Sequence, residues 1–334
     1  MEFGAVFQTD PPASEVVRRA RLAEELGFDY VWTFDSHVLW EEPFVIYSRI
    51  LEATERVVVG PLVTNPGTRD WTVLASLFAT LNEMSGGRTI CGMGRGDSAL
   101  RVIGRRPMKL ATMSEAMRVI KGLVAGEEVD YRGTPVRIPW IEEGWELPMW
   151  VAGYGPRALD LIGREADGFV LQLADPKILE WTVATVRAAA ADAGRDPDEV
   201  KIAVVAPAFV GDDVAAQCEE LRWFGGMVGN HVADLAARYG RDGGTIPREL
   251  MDYIEARESY DYSHHGKAGN PTTEFVTDEI VERFCILGPV ERHLDKLREL
   301  AAIGADHVSL YLMHSNVEGT MAAYGESIIP VLGG

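Results

Sequence analysis

Cysteine is scarce. The three in this 334-residue chain, Cys91, Cys218 and Cys285, are widely spaced and odd in number. That excludes a disulfide framework and a cysteine-based zinc site, and it suits a reducing compartment. Basic charge is also short: 32 Lys and Arg stand against 51 Asp and Glu, a net charge of −19. A surface of that sign repels nucleic acid and anionic lipid, so neither is an expected partner. No apolar run approaches the roughly 20 residues that span a bilayer. The opening stretch Met1–Asp10 has no basic region followed by an apolar run, so no signal peptide is expected. These absences together predict a cytoplasmic protein. Internal repeats, low-complexity tracts and linkers are missing as well.

What is present is ordinary globular composition, 47% hydrophobic and 25% charged. Its organising signal is an alternation of short β-rich runs with longer helical patterns. Strands are predicted at 2–7, 30–34, 57–64, 89–93, 149–152, 168–173, 201–210 and 307–312. Helical spacing falls at 13–26, 71–84, 114–125, 156–165, 178–193, 290–303 and 321–329. Continuous apolar strands such as Val57-Val58-Val59 imply burial on both faces, as in a parallel sheet. Strand–helix alternation with about eight strands predicts an α/β fold, a (β/α)8 TIM barrel forming a single domain over 1–334. Two segments break the rhythm. A small hairpin is expected at Val129–Arg137, turning at Gly133, and an insertion at about 223–281 is expected to act as a lid.

In such a barrel the loops after the strands form the site, so the residues there carry the chemistry. After the second strand come Asp35, Ser36, His37 and Trp40. After the third come Leu62, Val63, Thr64 and Asn65, with Arg69 beyond. The fourth gives Gly94, Gly96 and Asp97, and the fifth Gly153, Tyr154, Gly155, Pro156 and Arg157. Pro156 opening a helix beside Arg157 makes a natural anion site; a plain strand-to-helix turn is the alternative. For Asp35 and Trp40 the alternatives are a substrate or ring contact, or a capped turn with Trp40 packed beneath it. The spacing Gly92-x-Gly94-x-Gly96 misplaces the third glycine of a dinucleotide fingerprint and lacks its acidic partner, which excludes a classical Rossmann site. No metal site is expected: His264 and His265 have no Cys or carboxylate at ligand spacing. His231 sits in the same insertion, His293 and His307 fit structural positions, and His314 follows the last strand. Without a nucleophile elbow or Walker loop, a bound cofactor is the expected source of chemistry.

Taken in order, these motifs resemble the luciferase-like superfamily, particularly its deazaflavin-dependent branch. Gly60-Pro61-Leu62-Val63-Thr64-Asn65-Pro66 looks like the third-strand motif of the methylenetetrahydromethanopterin reductases. The stretch 27–32 ahead of Asp35 is similar to the family's second strand, 94–97 to its fourth-strand loop, and 152–157 to its phosphate loop, continuing through 161–168. The likeness covers nearly all the chain outside the insertion. It implies a non-prolyl cis peptide at Leu62–Val63 behind the cofactor ring, with Asp35, Thr64 and Asn65 contacting the ring or its side chain. It further implies that Gly94, Gly96, Asp97, Gly153, Tyr154, Gly155, Pro156 and Arg157 hold the ribityl phosphate. Where related proteins often read Asp-His, this chain reads Asp35-Ser36-His37, leaving Ser36 and His37 both open for that position.

The activity implied is hydride transfer between F420 and a small-molecule substrate, with Asp35 or His37 delivering a proton. The alternatives are an FMN-dependent monooxygenase using oxygen and a partner reductase, and a non-catalytic flavin-binding barrel. Arg69, Arg95, Arg101 and Arg157 are available for the acidic tail of the deazaflavin. Family analogy implies a homodimer through helices beside the second and third strands.

Overall fold

The computed structural model describes residues 1–10, 12–239 and 276–333, and side chains within these except 229–239. They cluster into two compact units. The first comprises Ala5–Ala152 with Glu165–Gly168; the second comprises Met1–Gly4, Gly153–Arg164 and Phe169–Gly334.

In the first unit, β1 (Glu2–Phe7, entering from the second) leads to α1 (Ala13–Glu25). Val16, Ala20 and Ala23 recur on one face of α1 and are buried, and Gly27 at φ 87° turns the chain away. Next come β2 (Tyr30–Thr33), α2 (Pro43–Ala53), β3 (Val58–Pro61), α3 (Trp71–Ser85) and β4 (Cys91–Met93). The Asp70 carboxylate caps α3 by accepting the Thr72 N–H, and Gly86 stops it in the left-handed region. Two further helices, α4 (Asp97–Arg101) and α5 (Leu110–Val124), precede the hairpin of β5 (Val129–Tyr131) and β6 (Thr134–Val136), then β7 (Met149–Ala152). Arg132 and Gly133 both adopt positive φ at the hairpin turn, the combination that matches the twist of its two strands. β2 pairs parallel with β3, and β4 with β7. Single bridges, Val59 to Thr89 and Thr64 to Met93, join β3 to β4. Gly60 and Gly92 face this junction, where a side chain has no room.

The second unit is built on β8 (Gly168–Leu171), β9 (Lys201–Val210), β10 (Ile286–Gly288) and β11 (His307–Tyr311), with α6 (Pro156–Glu165), α7 (Pro176–Asp192) and α8 (Val214–Tyr239). β9 pairs parallel with both β11 and β10, and its residues 202–209 are all buried. Helices Asp278–Phe284, Val290–Ile303 and Val317–Ala323 complete it. Three histidines are tied internally, His293 and His307 buried and His314 half-buried. His293 bonds the Tyr324 hydroxyl at 2.9 Å and the Phe209 carbonyl at 3.2 Å, and His307 bonds Ser309 Oγ at 2.5 Å. His314 Nε2 donates to the Ala208 carbonyl at 2.8 Å, while its Nδ1 accepts the Asn316 N–H. Desolvation holds all three neutral, pushing His293 and His314 down to about 4 and His307 to about 3.

β1–β4, β7–β9 and β11 are the eight expected strands; alternating with helices along the chain, they give the fold class of a (β/α)8 barrel. Within the span expected as an insertion, 223–281, α8 runs from Val214 to Tyr239, and Asp278–Phe284 is helical. Tyr260, Tyr262, His264 and His265 lie outside the described residues, as does the side chain of His231. All three cysteines are free thiols in buried positions. No helix among the described residues is long and apolar enough to cross a membrane.

Candidate active site

The chain after β2 makes a tight turn closed by the Ser36 carbonyl, which accepts the Leu39 and Trp40 N–H groups. Trp40 packs on Phe34, ring centroids 4.9 Å apart. The turn buries some of its side chains and exposes others. Asp35 and Ser36 are 2% and 4% exposed, while His37 is exposed. Ser36 Oγ lies 2.9 Å from Ser98 Oγ of α4.

Asp35 is the centre of the first unit's polar groups. Its Oδ2 accepts from Thr64 Oγ1 at 2.6 Å and from Arg69 Nη1 at 2.5 Å. Arg69 Nη2 in turn reaches both Glu42 oxygens, at 2.7 and 2.6 Å, and the guanidinium lies 4.7 Å over the Phe44 ring. Burial pulls the Arg69 pKa down, but the charges and hydrogen bonds of Asp35 and then Glu42 more than reverse this, and it ends raised. Two neighbours feel the same carboxylate: burial and then the Asp35 charge raise the Cys91 thiol, and burial raises the Tyr47 hydroxyl despite its bond to Thr33.

The segment after β3 holds the cis peptide at Leu62–Val63, where the family resemblance implied one. Asn65 then folds back, its Oδ1 accepting the N–H groups of Gly67 (3.0 Å) and Thr68 (3.1 Å). This pattern fixes which end of the amide is the acceptor. Gly94 and Gly96, after β4, lie directly against this segment. A Cβ on Gly94 would come within 2.7 Å of Val63 Cγ2, and one on Gly96 within 2.8 Å of Asn65 Cγ. Packing therefore demands both glycines. Asp97 pairs with Arg101 one helical turn on.

Among the polar atoms of this unit buried without a hydrogen-bond partner are Asp35 Oδ1, Asn65 Nδ2 and Thr68 Oγ1, together with Glu41 Oε2 and, away from these loops, Asn82 Nδ2. An acceptor, a donor and a hydroxyl left unsatisfied after the second and third strands suit a ligand with a mixed polar edge. The sequence places Thr68 and Ser98 in the loops after the third and fourth strands; only the structure shows Thr68 Oγ1 buried without a partner and Ser98 Oγ beside Ser36.

In the second unit, the Gly155 carbonyl accepts the N–H groups of Ala158 and Leu159, so Gly155 caps α6 and Pro156 takes its first position. The helix start thus leaves backbone N–H groups without intrahelical partners beside the exposed Arg157, an arrangement suited to an anion. Gly153 packs against Ala158. Tyr154 Oη donates to the Gln172 carbonyl at 3.1 Å, and Gln172 Nε2 donates to Tyr311 Oη at 2.6 Å. Of the four arginines considered for an acidic ligand, Arg69 and Arg101 are committed to carboxylates, and Arg95 Nε bonds the Met108 carbonyl. His314 spends both ring nitrogens on the backbone. Among the described residues no group of three or more His, Cys, Asp or Glu could hold a metal.

The chain is 29% identical over 316 residues to the 5,10-methylenetetrahydromethanopterin reductase of Methanolobus tindarius, covering 92% of this chain and 93% of that protein. Two solved structures share the fold. One is the coenzyme F420 dependent tetrahydromethanopterin reductase from Methanopyrus kandleri, with TM-score 0.77, 22% identity and 99% of each chain covered. The other is an F420-dependent secondary alcohol dehydrogenase in complex with an F420-acetone adduct, with TM-score 0.75, 20% identity and 98% of each chain covered. The family model described as luciferase-like monooxygenase matches residues 1–307, and the chain belongs to that family.

Proposed function

We propose that the protein is an F420-dependent oxidoreductase that transfers a hydride between the deazaflavin and a small organic substrate. The observation that carries this reading is the Asp35 carboxylate, buried after β2, with Oδ2 held by Thr64 and Arg69 and Oδ1 buried without a partner. The relatives named above support it, two of the three being described as F420-dependent.

Two groups of residues, each within its own unit, have chemistry suited to such a cofactor. In the first unit, Leu62, Val63, Thr64, Asn65, Gly94, Gly96 and Asp97 would line the ring and its side chain, with Asn65 Nδ2 and Asp35 Oδ1 offering a donor and an acceptor. In the second, the turn Gly153-Tyr154-Gly155-Pro156-Arg157 would take a phosphate at the start of α6. When bound, the deazaflavin supplies two-electron hydride chemistry at a ring carbon. The chain's own task is to orient, to exclude water and to hold a proton. Asp35 and Ser36, both buried, are the groups of the second loop placed for it. A homodimer using the faces of α2 and α3, where Val45 and Val73 are 67% and 51% exposed, and a cytoplasmic location complete the reading.

Two measurements test it. Fluorescence titration should show tight binding of F420 and none of FMN. Tight binding of FMN alone would replace the reading with an oxygen-using one, and binding of neither would remove the redox cofactor. By the same titration His37→Ala should change F420 affinity less than about twofold, because its side chain points to solvent. Asp35→Asn should weaken it about tenfold, the effect of one charged hydrogen bond. A larger loss for His37 than for Asp35 would reverse the assignment.

A further inference from the structure

We propose that Arg69 is a positioning residue of this site. With Thr64 it occupies Asp35 Oδ2, and so leaves Oδ1 as an acceptor that only an O–H or N–H donor of the ligand can meet. The inference rests on the functional reading above for the identity of the ligand, but not for the coupling between Arg69 and Asp35.

An ionised carboxylate has about four lone-pair sites and no donor. Here both protein donors, Thr64 Oγ1 and Arg69 Nη1, converge on the same oxygen. The second oxygen is buried and unpartnered, and the Asp35 side chain is 0% exposed. The guanidinium cannot swing across to share itself between the two oxygens, because Nη2 is held by both oxygens of Glu42 and its face lies on Phe44. A planar, forked cation suits this bridging; a lysine ammonium, as a point charge, cannot reproduce it. The other groups that feel Asp35, Tyr47 and Cys91, remain neutral because burial raises them, so Arg69 carries the compensating charge. The consequence is selective. A hydroxyl, amine or amide N–H is accepted at Oδ1, whereas a carboxylate or phosphate placed there would meet a buried negative charge.

The test is a double-mutant cycle with Arg69→Ala, Asp35→Asn and the two combined, read by thermal unfolding without ligand and by F420 titration. Removing Arg69 alone strands a buried carboxylate, and Tm should fall by on the order of 5 °C or more. In the Asp35→Asn background the same change should cost less than half as much. If Arg69 only packed on Phe44, the two losses would be equal, and equality overturns the proposal. F420 affinity should fall roughly tenfold on Arg69→Ala in the wild-type background, and no more than about twofold in the Asp35→Asn background; equal falls would likewise overturn it. Should Arg69→Ala not fold, Arg69→Lys carries the same comparison with smaller losses. Should the wild type not bind F420, the functional reading fails, and the ligand-free cycle alone decides the role of Arg69.

Discussion

Gly60→Ala is expected to lose about 3 kcal/mol or more of folding stability, combining overpacking with broken ladder hydrogen bonds. A Cβ at Gly60 would stand 2.0 Å from the Ile90 carbonyl oxygen, and one at Gly92 would stand 2.2 Å from that of Pro61. The obstacle in each case is backbone, which has no rotamer to yield. The two strands must separate. That strains the bonds that run between them: Val59 N to Arg88 O, Ile90 N to Val59 O, Thr64 N to Gly92 O and Gly94 N to Thr64 O. The residues that depend on this junction are those of the candidate site, since Thr64 and Asn65 continue β3 and Gly94 continues β4. Gly92→Ala should behave alike, and both variants should lose ligand affinity together with stability. Urea unfolding checks this; an unfolding free energy within about 0.5 kcal/mol of wild type for either would show that the strands have slack.

The second large effect concerns acid. His293, His307 and His314 have native pKa values depressed by desolvation to about 4, 3 and 4. An unfolded histidine titrates near 6.5. Between those values the unfolded chain binds protons that the native state refuses, so stability falls as pH falls. Their contribution is present in full above about pH 6.5 and is lost as the pH drops through about 4. A depression of two units or more amounts to about 3 kcal/mol for each histidine. Three such groups together rival the 5–15 kcal/mol typical of a whole domain. All three belong to the second unit, around β9, β11 and the helix Val290–Ile303. Amide exchange should therefore show protection there collapsing between pH 6.5 and 4.5, before the strands β2 and β3 of the first unit. Protection unchanged across that interval would contradict the desolvation of these rings.

Strands were the easiest elements to read because their apolar runs are buried on both faces; β9 is the clearest, with residues 202–209 all inside. The helix Pro43–Ala53 is not legible in the sequence, for a physical reason. Val45, Ile46 and Ile50 are β-branched and weak helix formers, and Pro43 reads as a break although it occupies a position at the start of the helix where proline is welcome. Within α8, a Cβ on Gly225 would come within 2.5 Å of Val276, so this glycine permits close packing rather than a turn. At the site, residues adjacent in sequence to strand ends were legible. The Arg69–Asp35–Glu42 chain was not, since it closes across 34 and 27 residues, and no local pattern records that distance. The inward choice of Ser36 over His37 depended on the turn geometry alone.

The fate of the thiols offers a practical opening. Cys91 and Cys285 lie wholly inside, and burial pushes Cys218 up to about 11. Thiolates are therefore scarce at neutral pH, and maleimide reagents should find almost nothing to modify. A single cysteine introduced at position 37 would then be the sole fast-labelling position. A fluorophore or spin label could report from the mouth of the second loop in the otherwise natural protein, with no background to engineer away.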